Sequence, residues 1–297
     1  MFVSGFTIVR NAETYDYPVV ASINSLLPLC DEVVILIGNS DDETVRLIQN
    51  IASPKIKIHH SIWDDSLRAG GRVLAAETDK AKDLVAAHSD WCIYLQADEV
   101  IPETSYAAIV SAMKANVADN KVEGLLFKYI HFFGSYDYIA TSRDFYRHEI
   151  RIIRNNPLIH SYQDAQGFRK NNQKLLVKPI DGFIYHYGWV RHPQMMSKKI
   201  KHFHQLWHSD DWIQEQKQIQ ESFDYNAIDS LSLFTGVHPK VMQSRIEAKN
   251  WQFSPQLNNR KIGIRKKILY LIERLTGYRV GEYKNYKLIH ENASSNR

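Results

Sequence analysis

Two adjacent carboxylates, Asp98 and Glu99, follow directly on the apolar run Trp91-Cys92-Ile93-Tyr94-Leu95. An unbroken apolar run of strand length reads as a central parallel strand, and ligands of open α/β sheets sit just beyond the carboxyl ends of such strands. Paired hard oxygen ligands at that place suit a divalent cation that also carries phosphate oxygens. The same acids could instead cap a helix, since Pro102 with Glu103 has the form of a helix start. The segment by itself leaves both readings open. Among the arginines (Arg68, Arg72, Arg143, Arg151 and Arg154 all have a fork that matches phosphate oxygens), Arg72 stands out. It follows Gly70-Gly71 at the start of an Ala-rich helix, where unpaired amides also favour an anion. His204 and His208 share a helix face, with His202 beside them, but the glutamate of a His-Glu-x-x-His zinc motif is missing and a solvated amphipathic helix accounts for them.

The elements that must carry these residues alternate. Residues 2–9 read as a strand, and Asp16 and Pro18 open a helix with Val19, Ile23 and Leu26 on one face. Val33–Ile37 is a second strand, closed by the turn Gly38-Asn39-Ser40-Asp41-Asp42 and a helix carrying Val45, Ile48 and Ile51. Residues 55–59 form a short third strand, and the Ala-rich helix runs towards His88 before the acidic segment. This order implies βαβ units and a largely parallel sheet. A helix after Pro102 and a long strand over 122–133 follow. Residues 134–182 mix short strands with Arg, Tyr and Gly, as substrate-facing insertions do. Residues 183–187 form a last strand, and a helix begins at Pro193. The expected division is a first domain over 1–190 and a helical C-terminal extension over 191–297.

Composition bounds the rest. At 297 residues, with 44% hydrophobic and 24% charged side chains, the chain is a globular protein and not a fibrous or disordered one. A formal charge of +4 favours phosphorylated ligands or anionic surfaces but is no nucleic-acid footprint. Cys30 and Cys92 lie in apolar contexts with no metal or redox spacing, and read as reduced core residues. No leader pattern and no apolar run of membrane-spanning length is seen, so the expected location is cytoplasmic. Residues 260–279 carry Arg265, Lys266 and Lys267 against Ile264, Ile268, Leu271 and Leu275. We expect that stripe to pack on the main domain; the alternative lays it on the inner face of an anionic membrane as a peripheral contact.

Taken together, Val9-Arg10-Asn11-Ala12-Glu13, the run Asp31–Ile37 into Gly38-Asn39-Ser40-Asp41-Asp42-Glu43-Thr44, and Trp91–Glu99 resemble the family 2 glycosyltransferases. The likeness is to their lipopolysaccharide-core sugar transferase branch and covers roughly residues 1–190. The resemblance implies a GT-A type α/β sheet with helices on both faces. It implies that Val9, Arg10, Asn11 and Glu13 lie against the nucleotide base, and that Gly38 and Asn39 face the nucleotide. It also implies that Asp98 binds the metal, Mn²⁺ or Mg²⁺, with Glu99 as a supporting acid and His186 completing the metal or diphosphate site. Gln96 replaces the first acid of the family's Asp-x-Asp-Glu form, which removes one charge while leaving a side chain able to bond a ribose hydroxyl. Ile37 stands where an acid often ends the second strand.

The activity so implied is an inverting transfer of a sugar from a nucleotide-diphosphate donor to a glycan or lipid-linked hydroxyl. It needs a carboxylate to take the acceptor proton. Asp164, set among Tyr162, Gln163, Gln166 and Phe168, is the first candidate and Glu149 the second; a turn before Gly167 would explain Asp164 equally well. A nucleotidyltransferase would show a glycine-rich loop where Arg10-Asn11-Ala12-Glu13-Thr14 stands. A degenerate sugar-nucleotide or glycan-binding domain is the non-catalytic alternative that Gln96 suggests.

Overall fold

The computed structural model describes residues 1–67, 69–208, 212, 221–255 and 263–289. The chain forms the α/β architecture expected of it. Strands β1 (Val3–Val9), β2 (Glu32–Ile37), β3 (Ile56–His60) and β4 (Trp91–Tyr94) run parallel in the order β3-β2-β1-β4. Their side chains alternate between two cores. Val33, Ile35 and Ile37 of β2 join Ile93 and the apolar faces of α1 (Val19–Leu26), α2 (Thr44–Gln49) and α4 (Tyr106–Asn116). Val34 and Leu36 join Cys92, Tyr94 and the face of α3 (Arg72–Asp83). Burial on both faces explains why these strands read as continuous apolar runs. Cys30 and Cys92 are both buried free thiols.

Past β4 the sheet becomes mixed. The next strands in the chain are β5 (Glu99–Val100), β6 (Gly124–Phe133), β7 (Ser135–Ala140) and β8 (His148–Arg154). β8 lies antiparallel between β4 and β6, and β7 is antiparallel to the far end of β6. β9 (Ile159–Tyr162), β10 (Gly167–Lys170) and β11 (Gln173–Lys174) make a separate three-stranded sheet, with Asp164 in the turn between its first two strands. β12 (Leu176–Trp189) is one long strand parallel to β6, extending well beyond the last strand expected over 183–187; Pro179 to Phe183 is an irregularity within it.

The acidic segment departs from the expected straight strand. β4 stops at Tyr94, and Glu99 N bonds Gln96 O at 3.0 Å to close a turn. β5 then pairs antiparallel with β12, setting Glu99 opposite His186, while Tyr187 N donates to Asp98 O at 2.8 Å. Backbone pairing thus brings Asp98 to the end of the parallel strands and beside His186.

Beyond residue 191 the chain returns to the sheet. Helix α5 (Pro193–Trp207) covers the carboxyl ends of the parallel strands, and β13 (Leu231–Leu233) pairs with β7. After the short α6 (Gln243–Glu247) and the helix α7 (Ile264–Thr276), β14 (Lys287–Leu288) pairs parallel with β12. Among the described residues no helix is long and apolar enough to cross a membrane.

Candidate active site at the carboxyl end of the sheet

A cavity of about 320 Å³ opens where β1 and β4 end, roofed by α5. Val9, Arg10, Gln96, Asp98, Asp164 and His186 all line it, so six of the residues singled out in the sequence meet in one place. Trp63, Tyr17, Tyr94, Trp189 and Phe203 supply aromatic walls.

Asp98 is the electrostatic centre. Lys199 Nζ donates to its Oδ2 at 2.9 Å and to Gly188 O at 2.9 Å, and His186 Nε2 stands 3.7 Å from Oδ1. Burial pushes the Asp98 carboxyl up, but the Lys199 ammonium bonded to it, with Arg191 nearby, outweighs burial and holds the group well below the usual carboxylate range. Burial, with Arg191 nearby, pulls Lys199 down to about 8 against the opposing pull of Asp98. Residue 188 must be glycine: a Cβ there would lie 2.5 Å from His186 Nε2 and 2.8 Å from Asp98 Oδ2.

The hydrogen-bond pattern assigns the tautomers of the two histidines. The Tyr146 carbonyl can only accept, so His131 Nε2, 2.8 Å away, carries a hydrogen. Burial, reinforced by the neighbouring His186, holds the His131 pKa well below its ordinary value; its Nδ1 therefore accepts from His186 Nδ1 at 2.9 Å. His186, also pulled down by burial, keeps a lone pair on Nε2 towards Asp98. A divalent cation of the kind the resemblance implies would find two donor atoms here. Two adjacent ligands of an octahedral ion at about 2.1 Å stand about 3.0 Å apart, so the 3.7 Å between these atoms would close by about 0.7 Å around a shared ion. The residues fit such an ion as a two-ligand site. Among the described residues no group of three or more His, Cys, Asp or Glu could hold a metal, so phosphate and water oxygens would have to fill the remaining positions. The histidines at 202, 204 and 208 form no such group either; His202 stacks on Tyr15 at 4.4 Å and lines the cavity.

Glu99 does not join its neighbour. Its Oε2 accepts from Arg151 Nε at 2.7 Å and Gln96 N at 3.1 Å, and its Oε1 from Arg151 Nη2 at 2.8 Å and Tyr129 Oη at 2.9 Å. Both side chains are fully buried. Glu99 is therefore neither a helix cap nor a ligand facing the cavity, because a carboxylate with these four partners is satisfied inside the core.

Glu149 is likewise buried away from the cavity. Burial pushes it up to about 7 despite Arg151, and it accepts from Ile150 N and Asn285 Nδ2 at 2.9 and 3.3 Å. Asp164 does face the cavity, and its carboxyl is raised by burial. Its turn is set by left-handed Gln163 and Ala165, by the bond from Arg151 Nη1 to Gln166 O at 2.7 Å, and by Gly71, where a Cβ would stand 2.9 Å from Asp164 Cβ.

The remaining nucleotide-facing candidates work at one remove. Asn11 Oδ1 accepts from Asp41 N at 3.0 Å and Glu13 Oε2 from Glu43 N at 3.1 Å, which ties the loop after β1 to the loop after β2. A Cβ at Gly38 would lie 2.3 Å from the Trp63 indole, and Asn39 Oδ1 accepts from Trp63 N at 3.2 Å. Gly38 and Asn39 thus fix Trp63 in the wall; Arg10 donates to Asp65 at 2.7 Å with its guanidinium 5.6 Å from the Trp63 ring. Arg72 is exposed at the start of α3 and outside the cavity lining, and Arg68 lies outside the described residues.

Sequence reasoning missed Lys199 and Trp63. Lys199 interrupts the apolar stripe of Met196, Ile200 and Phe203, and a lysine on such a stripe needs a buried partner; that was the available signal. A second cavity, of about 490 Å³, adjoins the first through Tyr146, His186 and Trp189, and its far wall carries Asp144, Asp229 and Lys266.

No family model matches the chain, and no curated protein is similar to it at a significant level. Among solved structures, S. aureus TarS shares 14% identity over 68% of this chain and 39% of its own, with a TM-score of 0.39; the chain spans about two fifths of TarS. Glucosyl-3-phosphoglycerate synthase from Mycobacterium tuberculosis, in complex with Mn²⁺, UDP and phosphoglyceric acid, shares 16% over 44% of this chain and 43% of its own, with a TM-score of 0.29. A 4-diphosphocytidyl-2C-methyl-D-erythritol synthase from Anaerococcus prevotii shares 11% over 52% and 71%, with a TM-score of 0.33. All three likenesses are distant.

Proposed function

We propose that the chain is a glycosyltransferase of the GT-A type that moves a sugar, with inversion, from a nucleotide-diphosphate donor to a hydroxyl of a glycan or lipid-linked acceptor. One observation carries this reading. Asp98, the Nε2 lone pair of His186 and the Lys199 ammonium converge beyond the parallel strand ends, in a cavity that also holds the second carboxylate, Asp164. In this reading residues 1–190 carry the catalytic carboxylates, and the extension over 191–297 adds Lys199 and the α5 roof. The reaction would run in the cytoplasm, at the inner face of a membrane when the acceptor is lipid-linked.

Val9, Arg10 and the Trp63 ring suit a nucleoside, and Gln96 suits a ribose hydroxyl. Lys199 suits the diphosphate. Asp98 and His186 would hold the divalent cation, which when bound neutralises charge developing on the leaving diphosphate. Asp164 accepts the acceptor hydroxyl proton as that oxygen bonds to the anomeric carbon and the bond to the diphosphate breaks. Its raised pKa brings it nearer to a working base than an exposed aspartate. The ammonium already seated on Asp98 also supports the second reading, a domain that binds sugar nucleotides without turnover.

A thermal-shift panel of UDP, GDP, CMP and dTDP sugars, with and without Mn²⁺, followed by assay of donor hydrolysis, tests both readings. Stabilisation with hydrolysis supports the transferase, and stabilisation without hydrolysis or transfer supports the binding domain. Indifference to every nucleotide sinks both.

A further inference from the structure

Helix α7 is mounted with its polar side towards the protein. Glu273 accepts from Arg143 Nη1 at 2.5 Å and from Arg279 Nε at 2.8 Å. Lys266 reaches Asp144 and Asp229 at 3.0 and 2.8 Å, and the Tyr270 hydroxyl accepts from Arg143 N at 3.1 Å and donates to Asp229 at 3.3 Å. The opposite face, spaced four-three-four, presents Ile264, Ile268, Leu271 and Leu275 to solvent, at 78, 53, 56 and 75% exposure. This reverses the expectation that the stripe packs on the main domain. A helix normally turns such a stripe inward, so leaving four large aliphatic side chains outside on an otherwise anchored helix forgoes the stabilisation their burial would bring.

The flanks identify what covers the stripe. Arg265 borders it on one side and Lys267 and Arg274 on the other, all exposed, while the only acid of the helix, Glu273, points into the protein. Tyr278, at 61% exposure, extends the apolar line past the helix end. An apolar strip of about 20 Å with basic margins and an aromatic end matches a lipid surface with anionic headgroups. A second copy of the chain would set these same cations against themselves.

We infer that α7 docks the protein on an anionic lipid bilayer, its apolar stripe entering the headgroup boundary and its basic margins meeting the phosphates. The placement bears on the acceptor, and this part rests on the transferase reading. Lys266, at the root of α7, lines the second cavity, which shares His186 and Trp189 with the first. An acceptor anchored in the bilayer beside α7 therefore has a walled approach, through the second cavity, to the His186 and Trp189 side of the first.

Co-sedimentation of the full chain with vesicles tests the docking without any nucleotide, so its outcome is separate from that of the donor-binding panel. Vesicles of phosphatidylcholine with about one third phosphatidylglycerol should bind the chain, and phosphatidylcholine alone should bind it at least about tenfold less. The double variant L271D/L275D should lose at least about tenfold in binding to the mixed vesicles, and K267E/R274E should lose binding in proportion to salt sensitivity. Both should melt at the wild-type temperature, because these side chains are exposed. Failure of the wild type to bind mixed vesicles at low salt overturns the inference. So does unchanged binding by the folded L271D/L275D variant, or a stable dimer in sedimentation that this variant abolishes.

Discussion

Replacing Glu99 and Asp98 one at a time should separate two neighbouring carboxylates by what they do. Glu99→Gln removes the charge that faces Arg151 across bonds of 2.7 and 2.8 Å, in a pair with no solvent exposure on either side. The amide NH₂ then meets guanidinium N–H, and the Arg151 charge is left buried without a counter-ion. Breaking such a pair costs about 3–5 kcal/mol, and at about 2–4 °C per kcal/mol for a chain of this size the melting temperature should fall by roughly 10 °C. Asp98→Asn should cost less, about 1–3 kcal/mol, because Lys199 keeps the Gly188 carbonyl and, with its pKa already near 8, can shed its proton. The functional order is the reverse. At a temperature where both variants are folded, Glu99→Gln should keep the stabilisation conferred by UDP with Mn²⁺, and Asp98→Asn should lose it. Scanning fluorimetry with and without UDP and Mn²⁺ reads both effects. A wild-type melting temperature for Glu99→Gln, or loss of the Mn²⁺ response from that variant alone, would refute the assignment of Glu99 to the core and Asp98 to the ligand.

Asp164→Asn should leave nucleotide binding intact while lowering transfer by about 10²–10⁴-fold, the usual worth of a general base; equal loss of binding would make Asp164 structural. Lys199→Met should strengthen Mn²⁺ binding in the absence of nucleotide, since Asp98 is left unpaired, and weaken binding of nucleoside diphosphates; calorimetric titrations that move both affinities the same way contradict the geometry. Glu149 has its pKa raised from 4.5 to about 7, so its protonated form is favoured in the folded chain. The stability from this group is complete below pH 4.5 and is lost as pH rises towards 7, to a total of about 3 kcal/mol. Glu149→Gln should flatten that part of the pH–stability curve and raise the melting temperature at pH 7 above wild type; denaturation across pH 4–8 that shows no difference from wild type disposes of it.

The parallel half of the sheet was legible because β1, β2 and β4 are buried on both faces, which forces uninterrupted apolar runs that end in recognisable turns. The place of Asp98 followed from the same rule. What a strand-end argument could not see was the work of partners distant in the chain. Glu99 looked like a second ligand because Arg151, 52 residues away, is invisible to local spacing. Lys199 lay hidden on a helix read only as solvated and amphipathic. Gly38 and Asn39 read as nucleotide contacts, yet they shape the wall through Trp63, whose importance depends on a close approach that only a missing Cβ permits. The exposed stripe of α7 was read correctly as amphipathic but assigned the wrong side, since periodicity tells which residues share a face and not which way the face is turned.

The pairing of Asp98 with Lys199 across 101 residues also has a meaning in time. At a synthesis rate of roughly 5–20 residues per second, Asp98 leaves the ribosome about 5–20 s before its ammonium partner exists. Glu149 waits longer still for Asn285, 136 residues later, and the edge of β12 waits for β14 at residues 287–288. A nascent chain can therefore form the parallel strands early but cannot complete the charge cluster at their ends until about two thirds of its 297 residues, through Lys199, have been made. The site is finished after the strands that carry it, so products of translation that stop short of Lys199 would hold the scaffold without the arrangement that binds ligand.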